Sequence, residues 1–363
     1  MRVRCAALVL CVLTVVAGCA APAGPAAEPA GSAAGPRKPL AELTPLADPR
    51  AFEGPSTAVL EQADVVPVEP NPVSRLPVTV TDHQGTPVTV TDTSRILAFD
   101  MSGTLAATVF ALGLGDRVVG RDVSTAFPAA AGLPLVTVNG HQLNAEATLR
   151  LRPSVVITDT TLGPWDVVLQ LREAGVPVVV VDSRRGMDNN GALVRQIAAA
   201  LGVPEAGERV ATRLDEEISA KKAEIARLIP TDPARRPRVA FLYLRGQAGV
   251  FYLFGAGSGV DSLLQALGAV DVAAEIGSPG MRPLNAEALA KAKPDVLLVM
   301  TKGLASVGGV DGALRVPGIA QTPAGLHKRF VDMADHQVLS FGPNTAGVLD
   351  ALARALYAPA AGR

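Results

Sequence analysis

Leu143-Asn144-Ala145-Glu146-Ala147, followed six residues later by Pro153 and an apolar run, recurs almost letter for letter as Leu284-Asn285-Ala286-Glu287-Ala288, with Pro294 six residues on. The copies stand 141 residues apart, 284 against 143. That offset is too long for a solenoid repeat and long enough for each copy to sit in a complete α/β lobe. Two like lobes facing each other enclose a cleft, the usual seat of a small ligand.

Working outward, Pro77 to Asp82 and Pro87 to Asp92 alternate Val and Thr around His83-Gln84-Gly85, which predicts a β-hairpin. Short β-branched runs then alternate with helical patterns: Ile96 to Phe99, Val118-Val119, Val155 to Thr158 and Val176 to Val181 read as strands of a mostly parallel sheet. From Pro204 to Ile229, Val210, Leu214, Ile218, Ile225 and Leu228 follow a helical period, with Glu217 and Lys221 paired at i,i+4. At 1.5 Å per residue this helix reaches about 39 Å, the length of a lobe. A second alternation runs through Val239 to Tyr243, Val296 to Met300 and Val338 to Phe341, and ends in a helix from near Thr345. The predicted fold class is α/β, two Rossmann-like lobes joined by one long α-helix: a first lobe over 76–203 with its leading hairpin, a connecting helix over 204–229, and a second lobe over 236–360. Gly255-Ala256-Gly257-Ser258-Gly259 follows an apolar run but misses the dinucleotide spacing, so it reads as a tight turn into a helix.

The amino terminus indicates the compartment. Met1 to Arg4 is basic and Cys5 to Ala17 is apolar, the layout of a secretory signal over 1–18 that is too short to span a bilayer. Val16-Ala17-Gly18-Cys19 resembles a bacterial lipobox, whose cysteine becomes a thioether to diacylglycerol. All three cysteines, Cys5, Cys11 and Cys19, lie in this leader, so the rest of the chain has no disulfide, thiolate zinc site or iron–sulfur ligand set. The stretch 19–75, rich in Ala, Pro and Gly at first, reads as the lipidated cysteine and a flexible tether. Losing Arg2 and Arg4 with the leader moves the formal charge from −1 to −3, which gives no reason to expect nucleic acid.

Two residues carry candidate ligand chemistry. His141 follows Gly140 in the loop feeding the first repeated helix, and the 141-residue offset superimposes it on Arg282. In open α/β sheets that loop lies at the carboxyl ends of the strands, the edge that faces ligands, so pseudosymmetry sets His141 and Arg282 on opposite sides of one cleft. His83, His327 and His336 have no such positional argument. In the second lobe, Phe241-Leu242-Tyr243-Leu244-Arg245-Gly246 puts Tyr243 and Arg245 on one strand face if the strand extends that far. A phenol, with a reference pKa of about 10, becomes a good anionic oxygen ligand beside a cation.

The two lobes, the helical connector, the lipidated export signal and the repeated Asn-Ala-Glu helix start together resemble a substrate-binding protein of an ABC importer, of the periplasmic binding protein type that handles haem, ferric siderophores and cobalamin. The resemblance implies small opening motions about a single-helix connector, and one exposed glutamate per lobe, Glu146 and Glu287, docking on the permease. It narrows to haem-binding lipoproteins of Gram-positive haem importers on Gly140-His141-Gln142-Leu143-Asn144-Ala145-Glu146, Thr158-Asp159-Thr160, Gly163-Pro164-Trp165-Asp166, Tyr243-Leu244-Arg245-Gly246 and Tyr252-Leu253-Phe254-Gly255. It implies His141 and Tyr243 as axial ligands of a ferric haem carried as cargo, Arg245 supporting the tyrosinate, and Met300 near the histidine side. Some relatives have an aromatic hydroxyl before the second Asn-Ala-Glu; this chain has Met281-Arg282 there, and Arg282, Arg184 or Arg185 is a candidate for a propionate. The implied partners are a permease with its ATPase subunit and, through the anchor, the cell membrane; the protein is expected to be a monomer and not an enzyme.

No Gly-x-Ser-x-Gly elbow, phosphate-binding loop or paired-histidine helix motif occurs. The rival is a binder of ferric siderophore or cobalamin, whose pocket uses arginines and aromatics without an iron ligand from the protein. Nine Phe, three Tyr and one Trp make a thin aromatic supply, which leans toward haem.

Overall fold

The computed structural model describes residues 37–359; the leader and Cys19 lie outside the described residues. Among the described residues each lobe has one main sheet, and two small two-stranded ribbons accompany them. In the first, Ile96–Phe99, Val155–Thr158 and Val178–Val180 pair in parallel in that order. In the second, Ser56–Ala58, Phe330–Met333, Val296–Met300 and Arg238–Arg245 run parallel, and Val250–Phe254 and Met281–Pro283 add antiparallel strands at the far edge. The hairpin pairs Val78–Thr81 with Pro87–Val90, and the Asp82 carboxylate closes its turn by accepting from the backbone N–H of Gln84 and Thr86 at 2.9 and 2.8 Å.

Both central sheets are buried on two faces. In the first lobe Ile96, Ala98, Val155 and Ile157 enter one apolar core while Leu97, Phe99 and Val156 enter another. In the second, Phe241, Leu298 and Val331 face one core, and Ala240, Leu242 and Val299 the other. This is the continuous-run pattern of parallel strands covered by helices on both sides. The 141-residue offset carries Val155 onto Val296, so the sequence repeat superimposes one central strand on the other. Its physical content is a cap: Asn144 and Asn285 each accept from the backbone N–H three residues on, at 2.8 and 3.0 Å, starting the helices Ala145–Arg150 and Ala286–Ala292.

The connecting helix spans Pro204–Ala226, about 34 Å. Its first half buries Val210 and Leu214 in the first lobe's core, and its second half buries Ile218 and Ile225 in the second's. The predicted Glu217–Lys221 pair does not form. Lys221 turns toward the last helix, Thr345–Tyr357, and meets Glu224 at 2.7 Å and Asp350 at 3.0 Å, leaving Glu217 to Arg213.

Three further expectations are corrected. Val118-Val119 is not a strand: Val118 makes only an isolated parallel bridge to Ile96. Val338 to Phe341 is not a strand: the chain forms a one-turn helix at Asp335–Val338, and Phe341 has a φ of +39°, outside the extended region. The strand is Phe330–Met333, whose buried Asp332 interrupts the apolar run that sequence reading looks for. The expected tether is also shorter than residue 75, because the chain is packed from residue 37 onward. Leu40 and Leu60 are fully buried against the second lobe, and Ser56–Ala58 is the edge strand of its sheet. Residues 63–75 then lie on the first lobe, with Val68, Asn71 and Arg75 donating to the carbonyls of Ala111, Gly113 and Gly202. The segment therefore straps one lobe to the other, a second crossing besides the helix.

The strap also covers Arg329, a buried guanidinium that donates to Ser56 Oγ at 2.8 Å and to the Ala355 carbonyl at 2.5 Å and sits 4.7 Å from the Phe52 ring. Burial lowers its pKa to about 10. A chain beginning at residue 62 should unfold at lower urea concentration than one beginning at 37. Two buried leucines at about 1.5–3 kcal/mol each set the scale, before the cost of uncovering Arg329; equal midpoints would show that the strap adds nothing to stability.

Candidate functional site

His141 sits at the apex of a tight turn in the first lobe. Thr137–Val138 and Gln142–Leu143 pair antiparallel, and between them Asn139 and Gly140 take positive φ of +48° and +89°. Leu143 is buried and donates to the Gly163 carbonyl at 2.7 Å, which fixes the far side of the turn. His141 is half-buried on the wall of a depression of about 700 Å³, flanked by Met101 and Val138, two apolar side chains 44% and 43% exposed. Ser124 Oγ, which donates to the Met101 carbonyl at 2.7 Å, lies 3.3 Å from His141 Nε2. Burial lowers the imidazole pKa from its usual 6.5, and so does Arg245 of the second lobe, with Asp335 opposing them. The ring is thus neutral at pH 7, the form that can bind a metal.

Tyr243 and Arg245 lie on one face of Arg238–Arg245, as alternation requires. Arg245 Nε donates to the Tyr243 hydroxyl at 3.0 Å, its guanidinium stands 4.8 Å from the ring centroid, and Nη2 reaches Asp335 Oδ2 at 3.2 Å. Tyr252 and Phe254, on the neighbouring strand, pack edge-on against Tyr243 at 6.5 and 6.4 Å between centroids. Tyr243 and Arg245 open on a second depression of about 290 Å³, lined also by Val250 and Ser306. The structure therefore brings an imidazole from one lobe into the electrostatic reach of a phenol-bearing Arg–Asp group on the other.

Other candidates fall elsewhere. Arg282 does not face His141. It stands opposite Leu253, which stands opposite Leu242, and that row points to the other side of the sheet from Tyr243. The pseudosymmetry fails locally because His141 is in a turn while its counterpart has been drawn into an edge strand. Met281, 49% exposed, does share the Tyr243 face, through Phe254. Met300 is only 8% exposed and packs in the second lobe's core. Arg185 is not a free surface charge: its side chain is buried and meets Asp159 Oδ2 at 2.5 Å and Asp100 Oδ2 at 3.1 Å. Arg184 is exposed and pairs with Asp182. Glu146 is exposed and paired with Arg150 at 2.6 Å, and Glu287 is exposed at the matching helix start. The Gly255–Gly259 run does turn into a helix, Val260–Ala266; at Gly259, φ +88°, a Cβ would lie 2.5 Å from the Arg185 carbonyl, so the lobes' backbones meet there.

The periplasmic binding protein family pattern matches residues 101–336, across both lobes. The chain is a member of that family. Among solved structures, the haem-binding protein HmuT is 44% identical, with a TM-score of 0.81, covering 86% of this chain and 99% of that one. The same protein has been solved with a single arginine, tyrosine or histidine replaced by alanine. The uncharacterized ABC transporter substrate-binding lipoprotein YvrC of Bacillus subtilis (strain 168) is 23% identical over 283 residues, 77% of this chain and 86% of that protein. A vitamin B12-binding protein of Pectobacterium carotovorum matches only 109 residues, 30% of this chain and 39% of its own, at 27% identity.

Sequence reading missed Asp335, Ser124 and a buried acidic cluster. Asp335 was hidden by the misplaced strand; with the strand at Phe330–Met333 it stands two residues past a carboxyl end, where ligand-facing residues of such sheets occur. Asp100 and Asp159, both fully buried, end the first two strands of the first lobe, and Asp122 lies beside them. Asp122 accepts from the backbone of Ser124 and Thr125, each at 2.7 Å, so it shapes the loop that carries His141's serine. Burial, then the nearby Asp100 carboxylate, raise its pKa from 3.8 to about 7.

A carboxyl with a raised folded pKa binds its proton more tightly in the folded state. Its contribution to stability therefore declines as pH rises from about 4 through about 7, and is level above that. In urea titrations at pH 5.5 and 8.0, the stability advantage of wild type over Asp122→Asn should shrink at the higher pH; an advantage that grows would reverse this assignment.

Proposed function

We propose that this periplasmic binding protein captures ferric haem between its lobes and delivers it to an ABC permease, with His141 and Tyr243 as the two axial ligands. The observation that carries the reading is the Tyr243–Arg245–Asp335 group standing opposite a neutral His141, in a chain whose solved relative is a haem-binding protein. An imidazole nitrogen and a phenolate oxygen suit iron(III), and haem proteins use both kinds of axial ligand. Arg245, hydrogen-bonded to the phenol oxygen, compensates the charge of an iron-bound phenolate. The exposed Met101 and Val138 beside His141 offer an apolar wall to a flat macrocycle. Met281 extends that surface on the second lobe; Met300, enclosed in the core, and Arg282, on the far face, stay outside the ligand set.

Because the two ligands come from different lobes, a small separation of the lobes on the permease breaks one iron bond first. Glu146 and Glu287 are the docking residues, Cys19 carries the lipid that holds the protein at the cell membrane, and the working unit is a monomer with no catalytic step. The alternative is a ferric siderophore or cobalamin, which needs neither His141 nor Tyr243 as a ligand; the vitamin B12-binding relative lends it distant support, over 30% of this chain.

Haemin titration of the chain lacking residues 1–19, read at the Soret band, tests the pair. Tyr243→Ala should lose more affinity than His141→Ala, since the anion matches the ferric charge, and each should lose at least about tenfold. Retention of haem by Tyr243→Ala with loss in His141→Ala would invert the ordering, and a colourless wild type that takes up cobalamin would replace haem altogether. Glu146→Lys with Glu287→Lys should abolish haem uptake by cells while leaving haemin affinity unchanged; uptake at the normal rate removes both residues from docking.

A further inference from the structure

Arg245 is the last residue of its strand, and Gly246 begins a short 3-10 turn, so strand packing does not fix its side chain, which remains 31% exposed. A guanidinium on a flexible stem has many rotamers, and pointing one N–H at one oxygen costs side-chain entropy unless a second contact fixes its plane. The second contact here is Asp335. Its Oδ2 holds Nη2 at 3.2 Å while Nε reaches the Tyr243 hydroxyl at 3.0 Å, and its Oδ1 accepts the Lys302 backbone N–H at 2.9 Å. The carboxylate is thereby tied to the chain just beyond Val296–Met300, and three neighbouring strand ends meet in one run of contacts.

We infer that Asp335 is a positioning residue: it aims Arg245 at the Tyr243 oxygen and cancels the arginine's charge, so that the second lobe offers an iron ligand set of net charge −1. This rests on the haem reading above. A ferric porphyrin core carries +1 and a ferrous core none. A tyrosinate with Arg245 alone is neutral and favours neither; adding the Asp335 carboxylate gives the set the complement of the ferric core. Asp335 thus selects the oxidation state of the cargo as well as the geometry of its ligand.

The test measures Asp335→Ala, Asp335→Asn, Asp335→Glu, Arg245→Ala and the Asp335→Ala/Arg245→Ala double variant in the chain lacking residues 1–19. Readouts are haem dissociation into excess apomyoglobin, the phenolate-to-iron charge-transfer band, and the reduction potential of bound haem; thermal unfolding of the haem-free proteins controls for folding. Asp335→Ala should speed dissociation about tenfold, weaken the charge-transfer band and move the potential positive, and Asp335→Glu should restore the band. Asp335→Asn should also move the potential positive, and in dissociation rate and band intensity, where Asp335 acts through Arg245, Asp335→Ala should add nothing on top of Arg245→Ala. Unchanged dissociation and potential in Asp335→Ala, with Arg245→Ala impaired, would overturn the inference and leave the haem reading standing, as would additive effects on dissociation in the double variant. A wild type without the charge-transfer band would instead sink the haem reading.

Discussion

The connecting helix is one rigid rod with its two halves sunk in two different cores: Val210 and Leu214 in the first lobe, Ile218 and Ile225 in the second. Rotating one lobe freely against the other would expose one of those apolar stripes, at about 25 cal/mol for each Å² uncovered. The strap from Leu40 to Arg75, anchored on both lobes, adds a second constraint of the same kind. A two-lobed protein with hinged loops can close by a wide swing. Here both restraints oppose a wide swing, and under the proposed function His141 and Tyr243 start near their working positions.

That constraint explains the division of labour across the cleft. His141 is presented by a tight turn whose geometry depends on positive φ at Asn139 and Gly140, and Tyr243 by a continuous strand. Beside Tyr243, and within electrostatic reach of His141, stands a charged pair, Arg245 and Asp335, only partly exposed and connected to backbone at one end and to phenol at the other. Partly buried charges of this sort interact over several ångströms with little screening, which is how the second lobe acts on an imidazole that belongs to the first. Beneath the turn, Asp100, Asp122, Asp159 and Arg185 form a buried polar floor at the carboxyl ends of the first lobe's strands. Arg185 pairs with Asp100 and Asp159 but not with Asp122, whose pKa is raised by burial and then by the neighbouring Asp100 carboxylate.

The internal repeat is informative both where it holds and where it fails. It holds for the Asn cap, the helix it starts and the central strand after it, because each is needed to bury a parallel sheet. It fails just before the cap. In the first lobe the preceding residues form a small separate ribbon that frees His141; in the second they join the main sheet as Met281–Pro283, and alternation turns Arg282 away from the cleft. Duplicated scaffolding thus carries different chemistry on each side, imidazole opposite phenol.

The sequence alone determined what is encoded locally: the hairpin from Val–Thr alternation, the central strands from unbroken β-branched runs, the connecting helix from its apolar period, and the Tyr243–Arg245 pairing from strand alternation. It could not show which polar residues are buried. Asp332 inside a strand broke the expected pattern, moved the last strand by several residues and concealed Asp335. Nothing in the pattern around Asp100 or Asp122 marks them as buried. Nor could it show that residues 37–75 are packed, since their proline-punctuated composition resembles a linker and their partners, such as Arg329 and Tyr357, lie hundreds of residues away. Only the tertiary structure decided these matters, because burial and charge pairing depend on which distant segments are brought together, and periodicity along one segment carries no record of its neighbours in space.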